Sequence, residues 1–215
     1  PAGHPATNPN TVSTYTVLDS SVTLQPATRT GYDFEGWYDN AGLSGTPITG
    51  FNPADAENKH YYAKWSAAKS YTVQWNLNDG MPTGHPASNP NTLTSYTVED
   101  ADITVNPATR NGYTFLGWYD NAGLTGTPVT RIRTMDAENK QYYAKWSAAD
   151  SYTIVYTLND GTPAGHPAVN PNTVTSYTVL DPNVTLAPAT RTGYDFEGWY
   201  ENPAFTGSPV TGFPV

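Results

Sequence analysis

The chain contains no cysteine and few basic residues, with 10 Lys and Arg against 19 Asp and Glu in 215 residues. The absence of cysteine excludes disulfides, thiolate nucleophiles and Cys-based metal sites. A formal net charge of −9 argues against a nucleic acid partner, because binding to a phosphate backbone requires clustered Lys and Arg. It argues equally against an anionic membrane surface. No signal peptide and no apolar run of about eighteen residues occurs, so the sequence predicts no membrane insertion in this segment.

Aliphatic residues are also sparse, whereas the chain holds 6 Trp and 16 Tyr. These aromatic side chains are expected to supply much of the core, because each one buries a large apolar area. A composition rich in Thr, Tyr, Gly, Asn and Pro with little Lys is more typical of an extracellular bacterial protein than of a cytosolic enzyme. We therefore expect the protein to be extracellular or at the bacterial cell surface.

The sequence repeats itself with a period of 81 residues and without insertions or deletions. Three features recur at this spacing: Gly-His-Pro, Gly-Tyr-x-Phe-x-Gly-Trp-Tyr and, in two copies, Tyr-Ala-Lys-Trp. Their positions are His4, His85 and His166; Gly31–Tyr38, Gly112–Tyr119 and Gly193–Tyr200; and Tyr62–Trp65 and Tyr143–Trp146. Similarity at a fixed period predicts an array of modules, and such arrays usually set reach, display or avidity.

The period divides the chain into three predicted domains. Repeat 1 (residues 1–66) has no opening Tyr-Thr-Val strand, and repeat 2 (residues 67–147) is complete and includes a short linker. Repeat 3 (residues 148–215) has no closing Tyr-Tyr-Ala-Lys-Trp strand. Because the chain starts and stops inside a repeat, we expect it to be a mature product or a fragment of a longer array.

The complete repeat predicts a mainly β or small α+β fold. Residues 71–77 alternate apolar and polar side chains, which is the pattern of a half-buried strand, and residues 152–158 repeat the pattern. Further strands are predicted at 95–98, 103–105, 112–119 and 141–146, with one helical turn at 135–140, a turn-rich loop at 78–92 and a linker at 147–151. Gly117 lies where a side chain is expected and predicts a bulge or a close backbone approach.

These motifs in this order resemble the Listeria–Bacteroides repeat, the B-repeat type of internalin-like surface proteins. The resemblance implies tandem β-grasp-like modules forming an elongated array in a bacterial surface or secreted protein, between a binding region and a wall anchor. It implies no catalytic residue and no cofactor. The loop 78–92 departs from the family, in which this turn is short. The signature positions are Gly31, Tyr32, Phe34, Gly36, Trp37, Trp65, Gly112, Tyr113, Phe115, Gly117, Trp118, Trp146, Gly193, Tyr194, Phe196, Gly198 and Trp199.

Histidine occurs once per copy in the loop, at His4, His85 and His166. A metal site needs several convergent ligands, and Asp79 is the nearest assisting group in the sequence. We therefore favour a histidine that caps a turn or packs on Pro86. His85 and His166 remain candidate binding residues.

Two other groups admit a functional and a structural interpretation. Asp33 and Glu35 resemble an acid–base pair, but a solvated strand face is favoured because the second copy has neutral residues there. Lys64 and Lys145 are candidates for an isopeptide cross-link, although lysines that extend over aromatic surface are the favoured interpretation.

The octapeptide ends in adjacent aromatics, which point to opposite faces of a strand and cannot enter one core together. One aromatic of each pair is therefore a candidate for stacking on sugars. The alternative, which we favour, is burial of one against the sheet and of the other under a loop or a neighbouring module. The candidate binding residues are Tyr38, Tyr119 and Tyr200.

We therefore expect a non-catalytic stalk or spacer of a bacterial surface protein, resembling part of an adhesin. One alternative is a segment of an extracellular filament, in which incomplete end modules recruit strands from identical chains. The other is a repeat that binds host glycan or protein by avidity. Neighbouring modules, identical chains and host molecules are thus the expected partners, and no enzyme activity is expected.

Overall fold

A computed structural model describes residues 4–162 and 164–215, and these residues are mainly β. Two 3-10 helices, Pro53–Asp55 and Thr134–Asp136, are the helical elements of this part of the chain. The predicted helical turn at 135–140 is therefore a 3-10 turn that begins earlier. The strands are β1 (Val22–Thr23), β2 (Phe34–Tyr38), β3 (Gly50–Phe51), β4 (Tyr62–Trp65), β5 (Ser70–Asn76), β6 (Ala87–Ser88), β7 (Ser95–Thr97), β8 (Ile103–Thr104), β9 (Thr109–Arg110), β10 (Tyr113–Tyr119), β11 (Arg131–Ile132), β12 (Lys140–Ala149), β13 (Tyr152–Thr153), β14 (Ala168–Val169), β15 (Ser176–Tyr177), β16 (Val184–Thr185), β17 (Thr190–Arg191) and β18 (Gly212–Phe213).

The chain divides into two compact units, and each unit contains residues of two consecutive repeats. Unit 1 comprises residues 4–76, 90–106 and 118–143. Unit 2 comprises residues 77–89, 107–117 and 144–215, apart from residue 163.

Unit 1 is built from short antiparallel pairs and one parallel pair. β2 pairs with β4, and β1 pairs with β3, both in antiparallel orientation. β5 pairs antiparallel with β7 and parallel with the start of β12, where Tyr142 lies opposite Trp75. β8 pairs with β11 at the positions that correspond, 81 residues on, to β1 and β3.

Unit 2 repeats part of this pattern. β9 lies between β6 and β10, and β10 is followed in the hydrogen-bonded order by β12. In repeat 3, β14 pairs with β17, as β6 pairs with β9, and β16 pairs with β18, as β8 pairs with β11. β13 pairs with β15.

Aromatic packing forms the core of unit 1, as the composition predicts. Trp118 is 1% exposed, and its ring centroid lies 4.9 Å from that of Trp75 in an edge-on arrangement. The ring centroid of Tyr142 lies 5.1 Å from that of Trp75, and burial raises the pKa of Tyr142 to about 12. The Trp118 indole N–H donates to the Asn106 carbonyl at 2.9 Å, so the polar atom of the buried ring is satisfied.

The second glycine of the octapeptide has the role that the sequence predicts for Gly117. At the equivalent Gly36, the pairing of β2 with β4 shifts register, and the backbone φ is +134°. A Cβ at Gly36 would lie 2.7 Å from the Cβ of Pro47. The position is therefore both a bulge and a close approach, and Gly117 shares the positive φ at +129°.

Three predictions of secondary structure are corrected. Residues 147–149 were predicted as linker but belong to β12, whose end is held because the Thr114 amide donates to the Ser147 hydroxyl at 2.9 Å. The loop 78–92 contains the two-residue strand β6. The strand predicted at 152–158 is reduced to β13, Tyr152–Thr153, since among residues 4–162 and 164–215 its partner strand is β15, which lies opposite Tyr152 and Thr153 alone.

We predict that Trp118→Ala lowers the free energy of unfolding of unit 1 by about 3–5 kcal/mol, the cost of truncating a fully buried aromatic. Trp199→Ala, at the half-buried equivalent in repeat 3, should cost less than about 2 kcal/mol. Native-state amide hydrogen exchange reports the local stability around each site. Equal losses in the two variants would contradict the difference in burial.

Candidate functional site

Consecutive repeats meet at the first glycine of the octapeptide, and we call this contact the repeat junction. In unit 1, Gly31 of repeat 1 has φ +79°, and a Cβ there would lie 2.4 Å from a methyl group of Val98 in repeat 2. The Lys69 amide donates to the Gly31 carbonyl at 2.8 Å. Only glycine accommodates both this φ and this neighbour, because valine is β-branched and stiff.

The same junction occurs in unit 2 at the 81-residue offset. Gly112 of repeat 2 has φ +72°, and its missing Cβ would lie 2.2 Å from a methyl group of Val179 in repeat 3. The Asp150 amide donates to the Gly112 carbonyl at 2.8 Å. The glycine–valine contact and the backbone hydrogen bond to the glycine carbonyl therefore both recur at the period of the sequence repeat.

One polar contact distinguishes the two junctions. In unit 1 the Tyr32 hydroxyl donates to the Glu99 carboxylate at 2.6 Å, and this hydrogen bond raises the pKa of Tyr32. In unit 2 the position of Glu99 is taken by Leu180, and the buried hydroxyl of Tyr113 has no hydrogen-bond partner in the described part of the chain. An unsatisfied buried hydroxyl is a cost to stability.

The histidine loop is held by an arginine that the sequence reasoning did not single out. In unit 2, Arg110 is 6% exposed, and its guanidinium donates to the His85 carbonyl at 2.8 Å and to the Asp79, Met81 and Pro82 carbonyls at 3.2 Å. It also lies 4.1 Å from the ring centroid of Tyr113. Arginine recurs at this position of all three repeats, Arg29, Arg110 and Arg191, and this recurrence is the sequence signal that could have identified it.

The histidines contribute packing and a backbone carbonyl. The ring of each packs edge-on at 6.1 Å against the first tyrosine of the octapeptide. The Asp79 carboxylate accepts from the Ala87 amide at 2.7 Å. Within residues 4–162 and 164–215, no group of three or more His, Asp or Glu side chains is placed to hold a metal ion. The Gly3 of the first Gly-His-Pro lies outside the described residues.

The paired aromatics of repeats 1 and 2 are buried on both faces of their strands. Trp37 and Tyr38 are 8% and 5% exposed, and Trp118 and Tyr119 are similarly covered. Tyr200 is half-buried. The surfaces of Tyr38 and Tyr119 are therefore not presented for stacking on a sugar.

The remaining signature residues separate the third copy from the first two. Phe34 packs edge-on against Trp65 at 5.4 Å, and Phe115 packs in the same way against Trp146 at 5.3 Å. Tyr194 and Phe196 in the third copy are 45% and 40% exposed.

The candidate acidic and basic side chains form exposed ion pairs. The Asp33 carboxylate is 3.0 Å from the Lys69 ammonium, and the Glu35 carboxylate is 3.5 Å from the Lys64 ammonium, which also lies over the Tyr38 ring at 5.4 Å. Exposed pairs of this kind contribute little to stability. Lys64 therefore extends over aromatic surface, the favoured interpretation of the sequence.

Among residues 4–162 and 164–215, no helix combines the length and the hydropathy that a membrane crossing requires.

We predict that Gly112→Ala destabilises the junction between repeats 2 and 3 more than its matched control. Gly193 has a similar φ, +79° against +72° at Gly112, but no described atom lies within 4 Å of its missing Cβ. Gly193→Ala should therefore cost about 1 kcal/mol for the backbone alone, and Gly112→Ala about 1–3 kcal/mol more for the clash. Denaturant unfolding of both variants measures the difference, and hydrogen exchange of the Asp150 amide locates the loss in Gly112→Ala at the junction. Matching losses in the two variants would rule out a role for the Val179 contact.

We predict that Leu180→Glu stabilises the second junction by about 1 kcal/mol. The new carboxylate would accept a hydrogen bond from the Tyr113 hydroxyl, as Glu99 accepts one from Tyr32 at the first junction. Leu180 is 52% exposed, so the substitution buries no charge. The matched control is Leu180→Gln, which is polar but uncharged and should gain less. Denaturant unfolding of both variants provides the measurement, and a gain in neither would contradict the assigned geometry.

Comparison with known proteins identifies the repeat. The family model of the Listeria-Bacteroides repeat domain matches three times, at residues 3–64, 71–145 and 152–212. The chain is 28% identical over 182 residues to a protein of Evansella cellulosilytica named "Putative membrane protein". It is 27% identical over 190 residues to a second protein of that organism, named "Putative Gly-rich membrane protein".

These alignments cover 84% and 83% of the chain but only 24% and 20% of the two relatives. The chain thus spans about a quarter or less of their length. No solved structure is significantly similar to it. Because the family model matches nearly the whole chain in three successive copies, the chain belongs to the Listeria-Bacteroides repeat domain family.

Proposed function

We propose that this chain is a stalk or spacer segment of a bacterial cell-surface protein. The observation that carries the proposal is the repeat junction, in which a glycine of one repeat receives a valine of the next, at Gly31 with Val98 and at Gly112 with Val179. A flexible string of modules has no need for a contact of this closeness. A spacer needs such a contact, because fixed junctions make the length of the array proportional to the number of repeats.

The covalent connection between repeats supports the same role. Residues 66–69 and 150–151 are the non-strand residues between the closing strand of one repeat and the opening strand of the next. Each connection is also hydrogen-bonded to the preceding octapeptide, through Lys69 to Gly31 and Asp150 to Gly112. A short and hydrogen-bonded connection restricts bending between neighbours, which is the mechanical property that a spacer needs.

The proposed module is β-grasp-like and follows the boundaries 1–66, 67–147 and 148–215. Its support is the parallel pairing of β5 with β12, which β7 and β10 flank. The proposal assigns no enzyme activity, cofactor or metal. Asp33 and Glu35 of the octapeptide form ion pairs with lysines, and Arg110 donates to the carbonyl of His85. A structural role for these side chains is consistent with the proposal.

The proposed location is the cell surface. The family is typical of bacterial surface proteins, and the two relatives carry names that refer to membranes. Since the chain corresponds to a small part of those proteins, the anchor and any binding region are proposed to lie elsewhere in the whole protein.

Distances between spin labels test the stalk directly. The chain has no cysteine, so paired cysteines can be labelled specifically. Thr46, Thr127 and Ser208 are exposed and occupy the same position in the three repeats. We predict narrow and equal distributions for Thr46→Cys with Thr127→Cys and for Thr127→Cys with Ser208→Cys, each centred at about 30 Å, the size of one module. The outer pair should lie about 60 Å apart.

The matched control is the same set of labels in the Gly112→Ala background. Only the distances that span the second junction should broaden, because the first junction keeps its glycine. Broad distributions in the parent chain would refute the stalk, and so would an outer distance no longer than the adjacent ones.

A further inference from the structure

Repeat 2 contains a polar cavity of about 350 Å³, formed by residues of unit 1 between positions 120 and 142. This volume falls in the range of about 300–1,000 Å³ that is typical of small-molecule sites. Most of the lining side chains are charged or carry an amide, so the cavity suits a ligand with many hydrogen-bonding groups. We call it the repeat 2 cavity, and the lining residues that matter below are Asp120, Arg131, Arg133, Glu138, Asn139 and Gln141.

Two arginines of the cavity distinguish repeat 2 from the other repeats. Arg131 and Arg133 flank a single residue, in a chain that has 10 Lys and Arg in all. They are therefore a local concentration of positive charge in an acidic protein. The same two positions hold uncharged residues elsewhere, namely Gly50 and Asn52 in repeat 1 and Gly212 and Pro214 in repeat 3.

The backbone places both guanidinium groups on the outer face of one extended segment. Arg131 belongs to β11, and Arg133 continues the extended conformation with φ −86° and ψ 112°. Ile132 between them is 0% exposed, whereas both arginines are exposed, as expected for alternating side chains. At strand spacing their Cα atoms are about 6–7 Å apart. Two guanidinium groups at this spacing can donate to one carboxylate from both sides.

The positive charge of the two arginines is largely available to a ligand. Among the residues that the structure describes, none is a hydrogen-bond or ion-pair partner of the Arg133 guanidinium. The Arg131 guanidinium lies 3.7 Å from the Asp102 carboxylate, and both side chains of this pair are exposed. A long and exposed ion pair contributes little free energy, so Arg131 can exchange this partner for a ligand.

The acidic side chains of the cavity limit how much negative charge a ligand can bring. The Lys140 ammonium lies 2.7 Å from the Asp136 carboxylate and 2.7 Å from that of Glu138, so these charges are balanced within the protein. Asp120 is a third acid of the lining. A polyanion is repelled by these carboxylates and by the net charge of −9. A single carboxylate between the two arginines avoids this repulsion.

We propose that the repeat 2 cavity binds a sugar of the uronic acid class, with its carboxylate held between Arg131 and Arg133. The planar guanidinium groups donate in fixed directions, so they orient the sugar as well as attract it. The Asp120 and Glu138 carboxylates accept hydrogen bonds from the ring hydroxyls.

The amides of the cavity favour a sugar over an acidic peptide. The Asn139 side-chain oxygen accepts from the Thr72 amide at 2.9 Å, which leaves its NH2 group as a donor, and Gln141 supplies a further donor and acceptor. A hydroxyl both donates and accepts, so it satisfies a carboxylate and an amide together. An acidic peptide satisfies the arginines and depends on its backbone N–H groups alone to reach Asp120 and Glu138.

The inference concerns repeat 2 alone and does not rest on the stalk. Its test is a titration of the 215-residue chain with methyl glucuronide, followed by the NMR shifts of the backbone amides of residues 129–142. Methyl glucoside is the matched ligand, because it differs only in having CH2OH in place of the carboxylate. We predict a Kd on the order of millimolar for the glucuronide. The glucoside should bind about tenfold more weakly or less, since it forms no charge-assisted hydrogen bonds.

Changes in the protein locate the site, and both arginines are exposed, so their substitution leaves the core in place. Arg133→Gln should weaken glucuronide binding about tenfold, and Arg131→Gln several-fold, with little effect on the glucoside. Arg133→Lys keeps the charge but not the planar fork, so it should recover part of the affinity. The matched control Lys69→Gln removes the same charge from unit 1 outside the cavity and should leave the Kd unchanged.

Four results would overturn the proposal. The first two are no shift with the glucuronide and equal binding of the glucuronide and the glucoside. The third is binding of sodium acetate with the same affinity and the same shifted residues, which would reduce the cavity to a general anion site. The fourth is binding of an acetylated tripeptide with one central glutamate as tight as that of the glucuronide, which would assign the cavity to acidic peptides.

Discussion

Pairing with a closing strand determines how much of each repeat becomes ordered sheet. The octapeptides of repeats 1 and 3 are identical in sequence, yet only the one opposite Tyr62–Trp65 is a strand. The closing strand supplies a row of backbone partners and a tryptophan that packs against the central phenylalanine of the octapeptide. Sheet propensity depends on such cross-strand contacts more than on intrinsic preference. The octapeptide sequence is therefore compatible with a strand, and it forms one when a partner strand pairs with it.

The two glycines of the octapeptide serve different levels of the structure. Gly36 takes up the bulge that lets β2 pass Pro47, which is a requirement within one repeat. Gly31 receives Val98 from the next repeat, which is a requirement between repeats. Both positions have positive φ, where a side chain costs free energy even without a neighbour. A segment of eight residues thus fixes the internal pairing of a module and its contact with the next.

The sequence predicted the features that depend on period and alternation. The strand at 71–77 was predicted within one residue of β5, because a half-buried strand alternates its side chains. The same pattern at 152–158 led to a wrong prediction, since alternation does not report whether a partner strand is present. The role of Arg110 was not predictable from residue types, because its acceptors are backbone carbonyls, which every sequence contains. The burial of both Trp118 and Tyr119 depends on what covers each face of the strand.

The comparison of the two junctions indicates which contact carries the coupling between repeats. The Tyr32–Glu99 hydrogen bond is absent from the second junction, where Leu180 replaces the carboxylate, whereas the glycine, the valine and the backbone hydrogen bond to the glycine are present in both. The shared elements carry no charge, so screening by salt leaves them unchanged. The spacer proposed above would meet variable ionic strength outside the cell, and a junction based on shape and backbone hydrogen bonding would keep its geometry there. The polar contact at the first junction adds to this arrangement and does not define it.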